Sequence, residues 1–259
     1  MPQEFPPTLE GLLALCAHLR GPDGCPWDGE QTHESLKPML LEETYEFLDA
    51  IDGGRSEEIA EELGDVLYHL VYQIQIADEA GEFDAEDVAG GVRDKLMRRH
   101  PHVFGDATVK DSGEVAARWE DIKRSEPSNK DKGTLDGIPR AMPSLSYAQA
   151  LGNRASKVGF EWDDFDGVLD KVREELDELK RAKTPQEREA EYGDVLFTLV
   201  NVARWLKLDA EDSLRATGHK FRARFNHMEQ LARERGQSVS DLSFDEKEAL
   251  WVEAKRVVG

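Results

Sequence analysis

An all-α fold is the class that this sequence predicts, and three observations support the prediction. Apolar residues recur at steps of three and four along the long segments of the chain, as they do on one face of a helix. Helix-start signals precede these segments, and the sequence shows no set of alternating strands. The same features then recur in the same order in the second half, which predicts two tandem copies of one helical bundle.

The first strongly periodic segment begins at Ser56. Ser56 is a favourable N-cap, and Glu57 and Glu58 follow it in the first turn, where the helix dipole favours acidic side chains. The segment predicts a long amphipathic helix with an apolar stripe of Ile59, Leu63, Val66, Leu67, Leu70, Val71 and Ile74.

The matching segment of the second half begins at Thr184. Thr184 is the expected N-cap, Pro185 suits the first helical position, and Glu187 completes a capping box. The stripe of this second predicted helix contains Val195, Leu196, Leu199, Val200 and Val202.

Short sequences shared by the two halves define the repeat. "EELGDVLYHLV" at 61–71 resembles "EAEYGDVLFTLV" at 189–200, "KLMRRH" resembles "KFRARF", and "RWEDIK" resembles "LWVEAK". The segment between the halves is rich in Pro, Gly, Ser and charged residues, which is typical of a linker. We therefore predict domains at 1–124 and 145–259, joined by a linker at 125–144.

The composition narrows the class of function. The formal net charge of -21 disfavours a surface that binds nucleic acid or an anionic membrane. Cys16 and Cys25 are too few for a disulfide framework or a cysteine-ligated zinc site, which favours a reducing compartment. The N-terminus lacks the pattern of a signal peptide, and no apolar stretch approaches the ~20 residues of a spanning helix. We therefore expect a cytoplasmic protein without nucleic-acid or membrane partners.

Closely spaced carboxylates occur at matching places in both halves. Glu175 and Glu178 share one helix face, and Glu191 and Asp194 share a face of the next predicted helix. Packing these helices together brings four carboxylates close, where they repel and raise one another's pKa unless a cation binds. Mg²⁺ and Mn²⁺ prefer such oxygen ligands, so we predict a metal site here. The first half repeats the set with Glu43, Glu46, Glu62 and Asp65.

A solvated acidic helix face is the plainer explanation of any one such group. The recurrence of both groups in both halves favours the metal site instead. Glu62 and Asp65 also lie next to the apolar stripe with Gly64 between them, and the second half keeps this glycine as Gly193. A glycine inside a helix costs about 1 kcal/mol relative to alanine, so a close helix approach or a bend is expected at both places.

These motifs resemble the MazG family of nucleoside triphosphate pyrophosphohydrolases, within the all-α NTP pyrophosphatase superfamily. The resemblance rests on Glu-Glu-x-x-Glu followed by Glu-x-x-Asp in each half. It also rests on "GCPWDGEQTHESLKPMLLEETYE" at 24–46 and "LSYAQALGNRASKVGFEWDD" at 145–164, which look like the segments that open the family's two domains. The resemblance covers almost the whole chain, and the match to the tandem-domain bacterial type of the family is close. The resemblance implies Mg²⁺-dependent hydrolysis of a nucleoside triphosphate to the monophosphate and pyrophosphate, and a homodimer of helical bundles.

For this activity we expect Glu174 and Glu175 to be the catalytic pair. Glu175 is also one of the expected metal ligands, and Glu174 lies behind the ligands or orients the attacking water. Phosphates beyond the reach of the metal need Lys or Arg, although solvated pairing with glutamate is the plainer role for any one of these side chains. Trp251 is equally compatible with stacking on a base and with the core. The expected substrate-binding residues are Lys171, Asn201, Lys220, Arg224, Trp251 and Lys255, of which four recur as Lys95, Arg99, Trp119 and Lys123.

The surroundings of the two acidic sets differ, which favours the second domain as the main catalyst. Met39 stands where the second half has Lys171, and the bulkier Tyr72 stands where it has Asn201. His69 also lies on this face of the first half, where a helix histidine is more often structural than a ligand. The first domain is therefore expected to be weaker, differently specific or structural.

Two other classes of protein compete with the hydrolase prediction. A di-iron carboxylate bundle needs two Glu-x-x-His motifs on bundle helices, and only "EQTH" at 30–33 fits, in a Pro/Gly-rich segment before the helix. An acidic helical interaction module without catalysis predicts scattered acids without the recurring Lys and Arg. A phosphate-binding loop of the P-loop type is absent from the sequence, which disfavours a kinase or GTPase.

Overall fold

Every regular element in the computed structural model, which describes residues 5–126 and 133–258, is helical, and this confirms the predicted all-α class. The chain divides into two units, Met1–Glu126 and Pro127–Gly259. Within the described residues, no helix is long and apolar enough to cross a bilayer.

The first unit is organised around the helix that starts at Ser56. This helix packs against the two longest helices that precede it, and the core at their junction contains Cys16, Leu36, Val71 and Tyr72. The helices of the unit are α1 (Leu9–Arg20), α2 (Pro26–Gly29), α3 (Lys37–Gly53), α4 (Ser56–Glu79), α5 (Ala85–Arg99), α6 (Pro101–Phe104) and α7 (Ser112–Ser125).

The second unit repeats this arrangement. Its central helix packs against the two helices that precede it, and its last two long helices enclose a separate core of Met228, Ala232, Leu242, Leu250 and Ala254. The helices are α8 (Ser144–Ser156), α9 (Phe165–Arg181), α10 (Pro185–Trp205), α11 (Ala210–Glu234) and α12 (Phe244–Val258), with a 3-10 turn at Val239–Asp241.

Tight turns join the helix pairs α3–α4 and α9–α10. Gly54, at φ 70°, adopts the left-handed conformation that ends α3, and its N–H donates to the carbonyl of Ala50 at 3.0 Å. Thr184 begins α10 as predicted, because its Oγ1 accepts from the Glu187 N–H at 3.1 Å and its own N–H donates to the Glu187 carboxylate at 3.1 Å. Short turns fold each pair back on itself and set the acidic residues of neighbouring helices face to face.

The predicted N-cap at Ser56 is wrong by one residue. Arg55 holds the extended backbone of the N-cap position, and Ser56 is the first residue of α4 without a side-chain cap bond. The reason is the turn at Gly54, which leaves a single extended residue before the helix. Glu57 and Glu58 lie in the first turn of α4, as predicted.

Part of the predicted linker lies within the described residues and contacts α8. Residues 127–132 lie outside the described part of the chain. The segment from Gly133 onward belongs to the second unit, where the Arg154 side chain donates to the carbonyl of Thr134 at 3.4 Å and to that of Asp136. These bonds hold the segment against α8.

The predicted apolar stripes of α4 and α10 are only partly buried. Val71 and Val195 are buried as the periodicity predicts. Three leucines of the α4 stripe and two of the α10 stripe remain exposed, because they face away from the helices that pack on α4 and α10; they are Leu63, Leu67, Leu70, Leu196 and Leu199.

Candidate metal centre

The second unit brings three carboxylates together between α9 and α10. Oxygen atoms of Glu175, Glu191 and Asp194 all lie within 4.8 Å of one another, and we call this group the second cluster. Glu175 is on α9, and Glu191 and Asp194 lie one turn apart on α10. Glu175 is only 5% exposed, so its charge lies at the helix interface and not in solvent.

The charges of the second cluster repel one another. Desolvation by its surroundings raises the pKa of Glu191, and the charges of Glu178, Asp194 and Glu175 raise it further. Glu178, the fourth predicted ligand, adds its charge to the group but is not among the carboxylates within 4.8 Å. A hard divalent cation relieves this kind of repulsion, and the oxygen donors present fit Mg²⁺ or Mn²⁺.

Lys171 forms an ion pair with Glu175 of the second cluster. Its Nζ lies 2.8 Å from Oε1 of Glu175 and 3.1 Å from Oε1 of Glu174, and these two hydrogen bonds raise the pKa of Lys171. The structure places Lys171 on two carboxylates, and its predicted contact with substrate stays a prediction. The Glu174 side chain is 56% exposed, so it is held by Lys171 and open to solvent.

The first unit carries the matching group between α3 and α4. Oxygen atoms of Glu43, Glu62 and Asp65 lie within 4.8 Å of one another, and we call this group the first cluster. Desolvation raises the pKa of Glu43, and the charges of Asp65, Glu46 and Glu42 raise it further. Glu46, the fourth residue of the predicted set, is also the largest source of charge repulsion on Glu62.

The neighbours of the first cluster differ from those of the second. Met39 occupies the position of Lys171 and packs against the core of the unit. His69 is 6% exposed, and its Nε2 lies 3.9 Å from Oε1 of Glu43. Desolvation lowers the pKa of His69, so the imidazole is predominantly neutral at pH 7.

Asn201 lines a cavity of about 410 Å³ in the second unit. Its Nδ2 donates to the carbonyl of Phe197 at 3.2 Å, and its Oδ1 accepts from Nε of Arg204 at 3.2 Å. Arg204 in turn donates to Glu161 at 2.7 Å. Most of the remaining lining is apolar, with Leu135, Leu151, Val158, Phe160, Trp162 and Phe197.

Gly152 lines this cavity at a close approach of α8 to α10. A Cβ at Gly152 would lie 2.8 Å from Oδ1 of Asn201 and 3.2 Å from Nε of Arg204. The sequence analysis identified Asn201 but missed Gly152, Arg204 and Glu161. The sequence contains one indication of Gly152, because a glycine within an apolar helical segment is typical of a close approach between two helices.

The first unit carries larger side chains at the positions that correspond to Asn201 and Gly152. Tyr72 takes the place of Asn201 on α4, and Cys16 takes the place of Gly152 when α1 and α8 are aligned from Leu9 and Leu145. Tyr72 is 1% exposed and Cys16 is fully buried, and they belong to the same core. Larger side chains therefore stand in the first unit at the positions of Asn201 and Gly152, which line the cavity of the second.

The remaining predicted substrate contacts lie on α11 and α12. Lys220 and Arg224 are on α11, and Trp251 and Lys255 are on α12. These two helices pack chiefly on each other, whereas the principal partners of α9 and α10 are each other and α8. The Trp251 ring lies 5.1 Å from the ring of Phe221 at the edge of the α11–α12 core.

The first-unit counterpart of Arg224 is engaged in a buried ion pair. Arg99 Nη2 donates to Glu126 at 2.7 Å, and the Arg99 guanidinium lies 5.4 Å from the centre of the Trp119 ring. Hydrogen bonds from Arg99 and Arg98 lower the pKa of Glu126 to about 2. These contacts give Arg99 a structural partner within its own unit.

Comparison with known proteins agrees with this geometry. The MazG nucleotide pyrophosphohydrolase domain matches residues 31–104, which contain the first cluster. The nucleoside triphosphate pyrophosphohydrolase/pyrophosphatase MazG of Thermotoga maritima is 46% identical over 95% of both chains. The nucleoside triphosphate pyrophosphohydrolase of Escherichia coli K12 is 42% identical over 96% of this chain and 97% of its own. The uncharacterized protein YabN of Bacillus subtilis is 45% identical over 93% of this chain, which corresponds to 50% of YabN. With the family domain in its first half and relatives that match along nearly its whole length, the chain belongs to the MazG family of nucleotide pyrophosphohydrolases.

Proposed function

We propose that this chain hydrolyses nucleoside triphosphates to the monophosphate and pyrophosphate, with Mg²⁺ bound at the second cluster. The observation that carries the proposal is the approach of Glu175, Glu191 and Asp194 to within 4.8 Å. It occurs in a chain 46% identical to a protein named as a nucleoside triphosphate pyrophosphohydrolase. Glu178 supplies the fourth carboxylate, and Mn²⁺ is the expected substitute for Mg²⁺.

The reaction that we propose is attack by water on the α-phosphorus. The oxygen of the water forms a bond to the α-phosphorus, the bond to the bridging oxygen of the β-phosphate breaks, and pyrophosphate leaves. A divalent cation supplies positive charge that binds the phosphates and makes an attacking water more acidic. Glu174 is the residue that we propose to accept the proton of the water, because its exposed carboxylate is held at 3.1 Å by Lys171.

The cavity beside Asn201 is the proposed site of the nucleoside. Asn201 follows Asp194 by seven residues on α10, which places it two turns, or about 10 Å, further along the same face. Phosphates at the second cluster and a planar base among Phe160, Trp162 and Phe197 would occupy the two ends of this face. Asn201 and Arg204 supply the polar groups at the cavity wall.

We further propose that the active form is a homodimer. The exposed leucines of α4 and α10 form apolar stripes that a second copy would cover, which agrees with the dimer implied by the sequence resemblance. In such a dimer Lys220, Arg224, Trp251 and Lys255 are proposed to reach the nucleotide held by the other copy.

Light scattering tests the dimer. We expect a mass twice the 29.2 kDa of one chain, and a lower mass for Leu199→Glu, because Leu199 is 46% exposed. Glu189→Gln, a conservative change at an exposed position of the same helix, is the control and should keep the dimer. A monomer at the concentrations that give full activity would contradict the proposal.

Product analysis tests the reaction. The purified chain is incubated with ATP and Mg²⁺, and we expect AMP and pyrophosphate. ADP and phosphate would contradict attack at the α-phosphorus. Lack of turnover across a panel of ribo- and deoxyribonucleoside triphosphates, with either Mg²⁺ or Mn²⁺, would instead favour the acidic interaction module.

A further inference from the structure

Two hydrogen bonds hold the side-chain amide of Asn201 in one orientation. Its Oδ1 accepts from Nε of Arg204 at 3.2 Å, and its Nδ2 donates to the carbonyl of Phe197 at 3.2 Å. A guanidinium can only donate and a carbonyl can only accept, so a flipped amide would lose both bonds. The direction of each amide atom is therefore fixed by the neighbours of Asn201.

Arg204 is itself fixed by Glu161. Nη2 of Arg204 donates to Oε1 of Glu161 at 2.7 Å, and Nη1 lies 2.5 Å from Oε2, so the two side chains form a bidentate pair. Oε1 also accepts from Nε1 of Trp205 and from the backbone N–H of Trp162, both at 3.0 Å. The hydrogen bonds from Arg204 are the main cause that lowers the pKa of Glu161, so its carboxylate is charged at pH 7. A chain of contacts thus runs from Glu161 through Arg204 to Asn201.

The three residues of this chain of contacts are specific to the second unit. The two units are aligned on Gly-Asp-Val-Leu, which α4 and α10 share, and on Gly-x-x-Trp-Asp, which occurs at 24–28 and 159–163. At the positions of Glu161, Arg204 and Asn201 the first unit has Pro26, Gln75 and Tyr72. The chain of contacts therefore accompanies the cavity that Asn201 lines, and the bundle that both units share does not depend on it.

We propose that Glu161 and Arg204 are positioning residues that hold Asn201 as a hydrogen-bond donor to the nucleoside. This inference rests on the proposed function, because it takes the cavity as the site of the nucleoside. Among the described residues, the second N–H of Asn201 Nδ2 has no acceptor. An acceptor atom of the nucleoside takes this N–H, and a donor that is already oriented binds it with little loss of side-chain freedom. Glu161 does not line the cavity and acts through Arg204.

The NMR signals of the Asn201 amide test this bond in the unaltered chain. The full chain is labelled with ¹⁵N-asparagine, and the amide pair that disappears in Asn201→Ala is assigned to Asn201. The probe is α,β-methylene-ATP with Mg²⁺, because its bridging carbon prevents the release of pyrophosphate. At saturation we expect one proton of the Asn201 amide to shift downfield. An Asn201 amide that the bound probe leaves unchanged, or a chain that does not bind the probe, would overturn the proposal.

A double-mutant cycle tests the role of Glu161. Calorimetry measures the affinity for the same probe in the parent chain, Glu161→Gln, Asn201→Ala and the double variant. We expect Asn201→Ala to weaken binding by about tenfold, the scale of one hydrogen bond, and Glu161→Gln by about threefold or more. In the Asn201→Ala background, Glu161→Gln should change the affinity by less than about twofold, because the residue through which it acts is gone. A merely structural role would weaken binding equally in both backgrounds and would overturn the proposal.

Glu189→Gln is the matched control at an exposed position of α10, and it should bind the probe as the parent chain does. Far-UV circular dichroism checks that each variant folds. If Glu161→Gln does not fold, Arg204→Lys takes its place in the cycle, because lysine keeps the charge but not the bidentate pair. Turnover is not measured here. A chain that shows the expected coupling but does not hydrolyse ATP would refute the proposed reaction and leave this inference intact.

Discussion

The two carboxylate clusters are alike in their ligands and different in everything that touches them. Both consist of one glutamate from the first helix of a pair and two acids from the second, within the same 4.8 Å limit. Lys171 contacts the second cluster, whereas His69 faces the first. The second unit has a cavity lined by Asn201, whereas Tyr72 and Cys16 are packed together in the first unit.

The comparison separates what a metal requires from what a substrate requires. Carboxylates at three- and four-residue spacing supply the oxygen donors that a cation needs, and the repeat keeps them in both units. A substrate also needs room, and the cavity that offers it is lined by Asn201 and by Gly152, where a Cβ would meet Asn201 at 2.8 Å. We therefore expect the two halves to share metal binding and to differ in nucleotide turnover.

The largest effect is expected when the second cluster loses a ligand. Glu175→Gln keeps the shape of the side chain but removes a buried charge that the proposed Mg²⁺ needs. We expect kcat/KM for ATP to fall by at least about a hundredfold. Loss of a group that only supports a metal ligand already lowers affinity or activity by up to about a hundredfold, and Glu175 is proposed as a ligand itself. Steady-state release of pyrophosphate measures the change.

Glu43→Gln is the control because it removes the equivalent ligand from the first cluster. We expect most of the activity to remain. Loss of activity in Glu43→Gln alone would transfer the active site to the first unit and reverse the comparison. Equal loss in both variants would show that the two clusters act together.

A smaller effect is expected when a tyrosine fills the cavity of the second unit. Asn201→Tyr places a phenol in the cavity of about 410 Å³ and removes the bond between Asn201 and Arg204. We expect KM for ATP to rise by about tenfold or more, because a displaced nucleoside loses its contacts and its alignment. Mn²⁺ affinity of the second cluster should stay within about twofold, since Asn201 lies two turns away.

Asn153→Tyr is a matched substitution on α8 at a residue that does not line the cavity. It should leave KM unchanged. If Asn201→Tyr turned over ATP with the KM of the parent chain, the nucleoside would have to bind elsewhere.

The sequence predicts the helices and the clusters well because both depend on local spacing. The capping residues Thr184, Pro185 and Glu187 identify the start of α10, and the steps of three and four residues identify its inner face. The same steps place Glu191 beside Asp194. These features depend on neighbours within a few residues, which one sequence contains completely.

The parts that the sequence does not predict depend on distant partners. The cavity is formed by Gly152 on α8 and by Arg204, whose ion pair with Glu161 joins residues 43 positions apart. Periodicity cannot indicate that Leu196 and Leu199 are exposed, because it identifies an apolar face but not what covers it. It also predicts that Lys171 is near Glu175, but not that the lysine forms ion pairs with both Glu175 and Glu174.

The smallest effect is expected when the second cluster is given the neighbour of the first. Lys171→Met leaves the buried Glu175 without its 2.8 Å partner in the metal-free protein. We expect the free energy of unfolding to fall by about 0.5 to 1 kcal/mol, a modest value because Lys171 is 35% exposed and solvent screens the pair. Chemical denaturation of the metal-free protein measures the change.

The pH dependence of this loss follows from the pKa of Lys171. Its pKa is raised above the ordinary value by its bonds to Glu175 and Glu174. The stabilisation is therefore complete below the ordinary pKa of lysine and disappears as the pH rises through the raised value. The difference between the parent chain and Lys171→Met should thus stay constant between about pH 6 and pH 8.

Lys180→Met is the control variant: it removes an exposed pair with Asp177 on the same helix and should cost less stability. Mg²⁺ should abolish the deficit of Lys171→Met, because the ion takes over the neutralisation of Glu175. A deficit that Mg²⁺ leaves unchanged would show that Lys171 supports α9 without serving the cluster.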